Sequence, residues 1–161
     1  MKDLVALFKS FGYAFEGVFT AIKTERNMRI HISCFVYMFF FLFAFDFFEI
    51  TRTQFAILFI ACGLVMGAEL INTSIEAVID LHGEKHTEFG KIAKDCAAGA
   101  VLIFTIFAVL AGVAIMWQPE AFQQLFQYFT NNLLALGLFI VSIILDTVFI
   151  FFGFEKKGKN K

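Results

Sequence analysis

The chain has 161 residues, 60% of them apolar, with a mean hydropathy of +0.79. Soluble domains run at roughly 45–50% apolar, so this excess argues against an ordinary globular enzyme and for a membrane protein. The net charge of −1 says little by itself, because its distribution along the chain matters more; no nucleic-acid partner is expected.

The N-terminal stretch MKDLVALFKSFGYAFEGVF mixes charged and apolar residues and builds no continuous hydrophobic region, so it reads as no cleavable signal. Leu4, Phe8, Phe11, Phe15, Val18 and Ile22 recur at spacings of three and four, which gathers them on one helical stripe. An amphipathic helix in the membrane interface fits this pattern, as does a short cytosolic helix packed on the bundle. Four stretches then approach the roughly 20 residues needed to cross a hydrocarbon core. They are residues 30–48, 55–78, 96–117 and 133–154, and the single proline, Pro119, follows the third. Of the 13 basic residues, all but Arg52 precede the first span, lie between the second and third, or follow the fourth. The bias toward Lys and Arg on cytoplasmic loops then places both termini and the 80–95 loop in the cytoplasm. The expected fold is an all-α integral membrane protein. An interfacial helix (1–29) leads to a three-span core (30–117) and a C-terminal addition (118–161).

Cys34, Cys62 and Cys96 lie far apart in apolar surroundings and read as free packed thiols. The 25 phenylalanines read as packing and lipid-facing side chains. His82 and His86 are four apart, but Gly83 between them and the lack of a third ligand favour a solvated loop over a metal pair.

The second span carries an unusual polar segment, ELINTSIEAVID (69–80). On a helix, Glu69, Asn72, Glu76 and Asp80 fall within an arc of roughly 80°. Glu76 and Asp80 sit near the cytoplasmic interface, and Glu69 lies about 10 Å deeper than Glu76. The third span opens with Lys94 and Asp95 at the same level, beside a small face at Ala97, Ala98, Gly99 and Ala100. Glu25, in TERN, arrives there from the N-terminal helix. Polar groups inside a bilayer are costly. A scaffold of buried ion pairs accounts for Lys94 with one carboxylate, but not for several acids on one stripe with too few bases. Excess oxygen donors suit magnesium carrying phosphate, and an ammonium suits phosphate directly. An ion path would have to continue across the membrane, whereas the outer half of this span, FAILFIACGLVMG, is apolar. No GxxxxGK[ST], GxGxxG, HRD or DFG motif is present.

Three stretches in order, GYAFEGVFTAIKTERN (12–27), Glu69–Asn72–Thr73–Glu76–Asp80 and AKDCAAGAVLI (93–103), resemble the small prokaryotic lipid kinases, diacylglycerol kinase and undecaprenol kinase. The resemblance spans about residues 5–117. It implies a homotrimer in the bacterial inner (plasma) membrane that moves the γ-phosphate of ATP to a lipid alcohol with Mg2+. By resemblance Glu69 would be the general base, Asn72 would orient the stripe, and Glu25 and Glu76 would hold the metal. Tyr13, Lys85, His86, Thr87, Lys94 and Asp95 would contact the nucleotide, with Asp95 also counted with the catalytic groups. An Arg of some relatives is replaced here by Ala6, and its contact is lost or passes to Lys9. TERN, His31 and the Lys85–His86 pair look more like undecaprenol kinases than diacylglycerol kinases, so undecaprenol is the expected acceptor and diacylglycerol the alternative. A small cation-binding or transport protein is the alternative of a different class. The usual family member stops after three spans, which leaves the fourth, with its isolated Asp146, without a family counterpart. That carboxylate is expected to pair with a neighbouring helix or to face the interior of the oligomer.

Overall fold

The computed structural model describes residues 2–81, 83 and 87–153. Among them the backbone forms six α-helices and no strand: α1 (Lys2–Thr24), α2 (Arg26–Ala44), α3 (Arg52–Leu81), α4 (Glu88–Met116), α5 (Pro119–Asn131) and α6 (Leu133–Phe152). Every helix but α5 is long and apolar enough to cross a membrane. The all-helical membrane architecture read from the sequence is the one observed.

The boundaries differ from the hydropathy reading in an instructive way. Helices α3 and α4 run for 30 and 29 residues, about 45 Å at 1.5 Å per residue, whereas the hydrocarbon core is about 30 Å thick. Backbone hydrogen bonding continues past the apolar run, so polar residues at the ends stay helical. The first span behaves oppositely: it starts at Arg26, ahead of its apolar run, and stops at Ala44. Residues 45–51 form a connection instead. Thr51 and Gln54 then open α3 with a capping box: the Thr51 N–H donates to Gln54 Oε1 at 2.9 Å and the Gln54 N–H donates to Thr51 Oγ1 at 3.3 Å. Helix α5 was not foreseen. Pro119, which follows the third span, occupies the first turn of α5, where its missing N–H costs nothing.

Helix α1 leaves the bundle along most of its length. Residues 4–20 are exposed, including the stripe from Leu4 to Val18, and only Ala21 is buried. Its C-terminal end meets α2 at a single extended residue, Glu25 (φ −103, ψ 118). The most extensive packing joins α3 to the antiparallel α4, and α2 lies against α3. There Phe39 of α2 is buried among Phe55 and Phe59 of α3, with ring centroids 5.2 and 4.4 Å away. Gln118 fastens the 45–51 connection to the end of α4. It accepts from the Glu49 N–H at 3.0 Å and donates to the Glu49 carbonyl at 3.1 Å. Helix α6 lies along α2 with none of its residues buried. Asp146 does pair with a neighbouring helix, accepting from Ser33 Oγ of α2 at 2.5 Å. The three cysteines are free.

Candidate functional site

Glu69 is the most completely buried acid of the described residues, 2% exposed at the middle of α3. Its place follows from α3 periodicity: Leu58, Val65, Ala68, Glu69 and Asn72 share the face turned into the bundle. A polar group brought inside by this periodicity should find a partner. Glu69 Oε2 and Asn72 Oδ1 find none among the described residues. Asn27, two residues past the α1–α2 corner, approaches the Glu69 carboxyl, and the Glu25 and Glu76 carboxylates stand close enough to act on it electrostatically. The Asn72 amide donates to Glu76 Oε1 at 3.0 Å, one turn along the same stripe.

These groups border open space. A cavity of about 220 Å³ is lined by Asn27, His31, Glu69, Asn72, Val101 and Thr105, among others. His31 and Thr105 also border a second cavity of about 360 Å³, whose walls include Cys34, Met38, Cys62 and Gly112. An open cavity that sets Glu69 and Asn72 among the apolar side chains of Ile30, Ala98, Val101 and Leu102 thus adjoins an apolar cleft between α2, α3 and α4. Such a pair of spaces suits a molecule with a polar head and a hydrocarbon tail.

The other expected residues fall into two groups. Glu25, Glu69, Asn72 and Glu76 come together within one chain. Lys94 stands at the same end of the hairpin but forms an ion pair with Asp80, Nζ to Oδ1 2.5 Å. Thr87 caps α4, its Oγ1 accepting from the Gly90 N–H at 3.0 Å. Asp95 is exposed, and so is Tyr13. Tyr13 lies twelve residues before Glu25, about 18 Å along a helix. Lys85 and His86 lie outside the described residues. Asn27, within TERN, and His31 entered the sequence reading only through the choice of acceptor, with no contact to Glu69 expected of either. Their signal was position: both follow the corner that delivers Glu25, and they are four residues apart on one face of α2.

Oxygen donors at Glu25, Glu69, Asn72 and Glu76 fit a hard divalent cation. No group of three or more His, Cys, Asp or Glu among the described residues closes a metal cage. Magnesium seldom needs one, since one or two carboxylates with water and substrate phosphates hold it.

Residues 12–116 match the model of the family described as prokaryotic diacylglycerol kinase. The chain is 42% identical over 114 residues to a diacylglycerol kinase of Synechocystis sp., covering 70% of this chain and 63% of that relative, less than two thirds of its length. It is 36% identical over 116 residues to an undecaprenol kinase of Bacillus subtilis, covering 71% and 90% of the two chains. With a diacylglycerol kinase of Escherichia coli K12 the identity is 32% over 120 residues, covering 69% and 88%. No solved structure matches this chain. The matched segment covers most of the chain, the Glu69 cluster included, and by that match and these relatives the chain belongs to the prokaryotic diacylglycerol kinase family of membrane lipid kinases.

Proposed function

We propose that this chain transfers the γ-phosphate of ATP to undecaprenol at the cytoplasmic face of a bacterial plasma membrane. One observation carries the reading: a buried, unpartnered Glu69 oxygen beside a cavity that adjoins an apolar cleft. A lipid hydroxyl cannot leave the interface and ATP cannot enter hydrocarbon, so transfer must occur where the two meet. In this reading Glu69 takes the hydroxyl proton, the freed oxygen attacks the γ-phosphorus, and the bond to the ADP oxygen breaks. Asn72 holds Glu76 in line, and Asn27 steadies the Glu69 carboxyl. Glu25 and Glu76 would hold magnesium, which supplies charge neutralisation for the triphosphate when bound. Lys94, exchanging Asp80 for phosphate, gives a further cationic contact, and Asp95 completes the nucleotide side with Thr87, Lys85 and His86.

Tyr13 and Asp95 point to shared sites. Both are exposed in the single chain, and Tyr13 stands far along α1 from the Glu69 cluster. A homotrimer, in which α1 of one copy lies in the interface beside the core of the next, would bring them to a nucleotide. In this arrangement residues 30–117 carry most of the chemistry, 1–29 supply Glu25 and Tyr13, and 118–161 are an addition with both termini cytoplasmic.

The acceptor rests on TERN, His31 at the Glu69 cavity and the Bacillus subtilis relative, which is aligned over 90% of its length. The Synechocystis relative favours diacylglycerol as the second reading. Purified protein offered both lipids in parallel with γ-labelled ATP and magnesium decides between them. Label passing mainly to undecaprenol is the expected result, and label passing mainly to diacylglycerol would reverse the choice of acceptor.

A further inference from the structure

The α5–α6 segment lies wholly beyond the matched residues 12–116, yet it is bound to the helix that begins the site. Three polar contacts join α2 to the antiparallel α6. The Arg29 Nε–H donates to the Ile150 carbonyl at 3.1 Å, Ser33 Oγ donates to Asp146 Oδ1 at 2.5 Å, and Tyr37 Oη donates to Ser142 Oγ at 3.1 Å. Residues 29, 33 and 37 are successive turns of α2, and 150, 146 and 142 are successive turns of α6 in reverse. The register is therefore fixed along one shared face.

Arg29 is the rung that reaches the site. Its side chain is buried, 6% exposed, and no carboxylate pairs with it among the described residues. Besides Ile150, its Nη1 donates to the carbonyls of Ile22 and Lys23 at 3.0 and 2.9 Å. All three acceptors lie in the last turns of α1 and α6, where helix carbonyls lack intrahelical partners and the helix dipole is negative. One guanidinium thus caps two helix ends. Gly153 makes room for it: it adopts φ +54 at the end of α6, and a Cβ there would stand 2.9 Å from Arg29 Cζ. Both the positive φ and the close approach favour glycine. Residues 22 and 23 stand three and two positions before Glu25, at the corner from which Glu25 and Asn27 approach Glu69.

We propose that α6 is a positioning element of the kinase site: through Arg29 it fixes the α1–α2 corner and so the placement of Glu25 relative to Glu69. This rests on the reading of Glu25 as a group that serves the magnesium–nucleotide. Arg29 and Gly153 are positioning residues in this scheme, since neither borders the Glu69 cavity.

The test measures KM for MgATP and for the lipid acceptor separately, together with the folded fraction, in full-length protein. Gly153→Ala displaces the guanidinium. Asp146→Leu breaks the middle rung two turns from the corner, and Asp146→Asn keeps an acceptor for Ser33. The expected result is a rise of about fivefold or more in KM for MgATP in Gly153→Ala and Asp146→Leu, with KM for lipid within about twofold and Asp146→Asn close to wild type. Combined with Arg29→Lys, Gly153→Ala should add little further, because both act on one contact. Unchanged KM for MgATP with a lower folded fraction would make the ladder merely structural and overturn the proposal. Additive effects of Arg29→Lys and Gly153→Ala would overturn the route through Arg29. If wild-type protein turns over no lipid alcohol, the kinase reading fails and this inference with it. Normal wild-type turnover with insensitive variants removes only the role of α6.

Discussion

Glu69 is where the cost of burial and its use meet. A carboxyl group with an unsatisfied oxygen in a bilayer-spanning helix is a debt in stability. Replacement by Gln keeps the shape and removes the charge, so Glu69→Gln should fold at least as well as wild type. General bases contribute roughly 10²–10⁴-fold to rate, and kcat should fall by that order. Glu76→Gln acts differently. It leaves Asn72 an acceptor at the amide oxygen but, with Glu76 in its proposed role, would weaken the hold on magnesium and nucleotide. Its expected signature is a raised KM for MgATP, about tenfold, the equivalent of about 1.4 kcal/mol, and magnesium titration of initial rates reads it directly. At this scale the sequence was informative because the stripe of Glu69, Asn72 and Glu76 follows from helical periodicity alone. Asn27 was not legible as a neighbour of Glu69, since it comes from another helix and depends on how sharply the chain turns at Glu25.

Helices α3 and α4 were readable because their apolar runs exceed a bilayer thickness. Their ends were not, because capping by Thr51–Gln54 and Thr87 is set by local hydrogen bonds rather than by hydropathy. Helix α5 escaped notice for a related reason: PEAFQQLFQYFTN is too polar for a span, and its apolar side packs on aromatic neighbours from distant sequence. Tyr128 and Phe129 meet Phe45 at 5.0 and 6.2 Å, and Phe122 meets Phe48 at 5.4 Å. Asp146 could be expected to have a partner, yet Ser33 could be named only once the register of α2 on α6 was known. The polar spacing Ser142–Asp146 on one span and Arg29–Ser33–Tyr37 on another was the available signal. On the α2–α3 side, Phe39 is 5% exposed and surrounded by rings. Phe39→Ala should lower stability by about 3 kcal/mol, measurable as a reduced midpoint of unfolding in mixed detergent, while Phe40→Ala on the exposed side should change it far less.

For the whole molecule, the basic residues predict a single orientation, with the hairpin turn between α3 and α4 and both termini in the cytoplasm. Labelling of single cysteines, in a background lacking Cys34, Cys62 and Cys96, checks it. A cysteine at Glu88 should react only from the cytoplasmic side and one at Glu120 only from the opposite side; the reverse pattern would invert the bundle. That orientation would put the polar end of the Glu69 stripe on the side where ATP is found and the adjoining apolar cleft within the membrane. A phosphotransfer site and a scaffold differ in what the Glu69 carboxylate does. The most direct measurement is transfer of γ-labelled phosphate to a lipid alcohol by wild-type protein and by Glu69→Gln, with MgATP binding followed in both. A phosphotransfer site gives labelled lipid from wild type, a loss of about 10²–10⁴-fold in Glu69→Gln, and MgATP binding retained in the variant. Near-wild-type transfer by Glu69→Gln would contradict it.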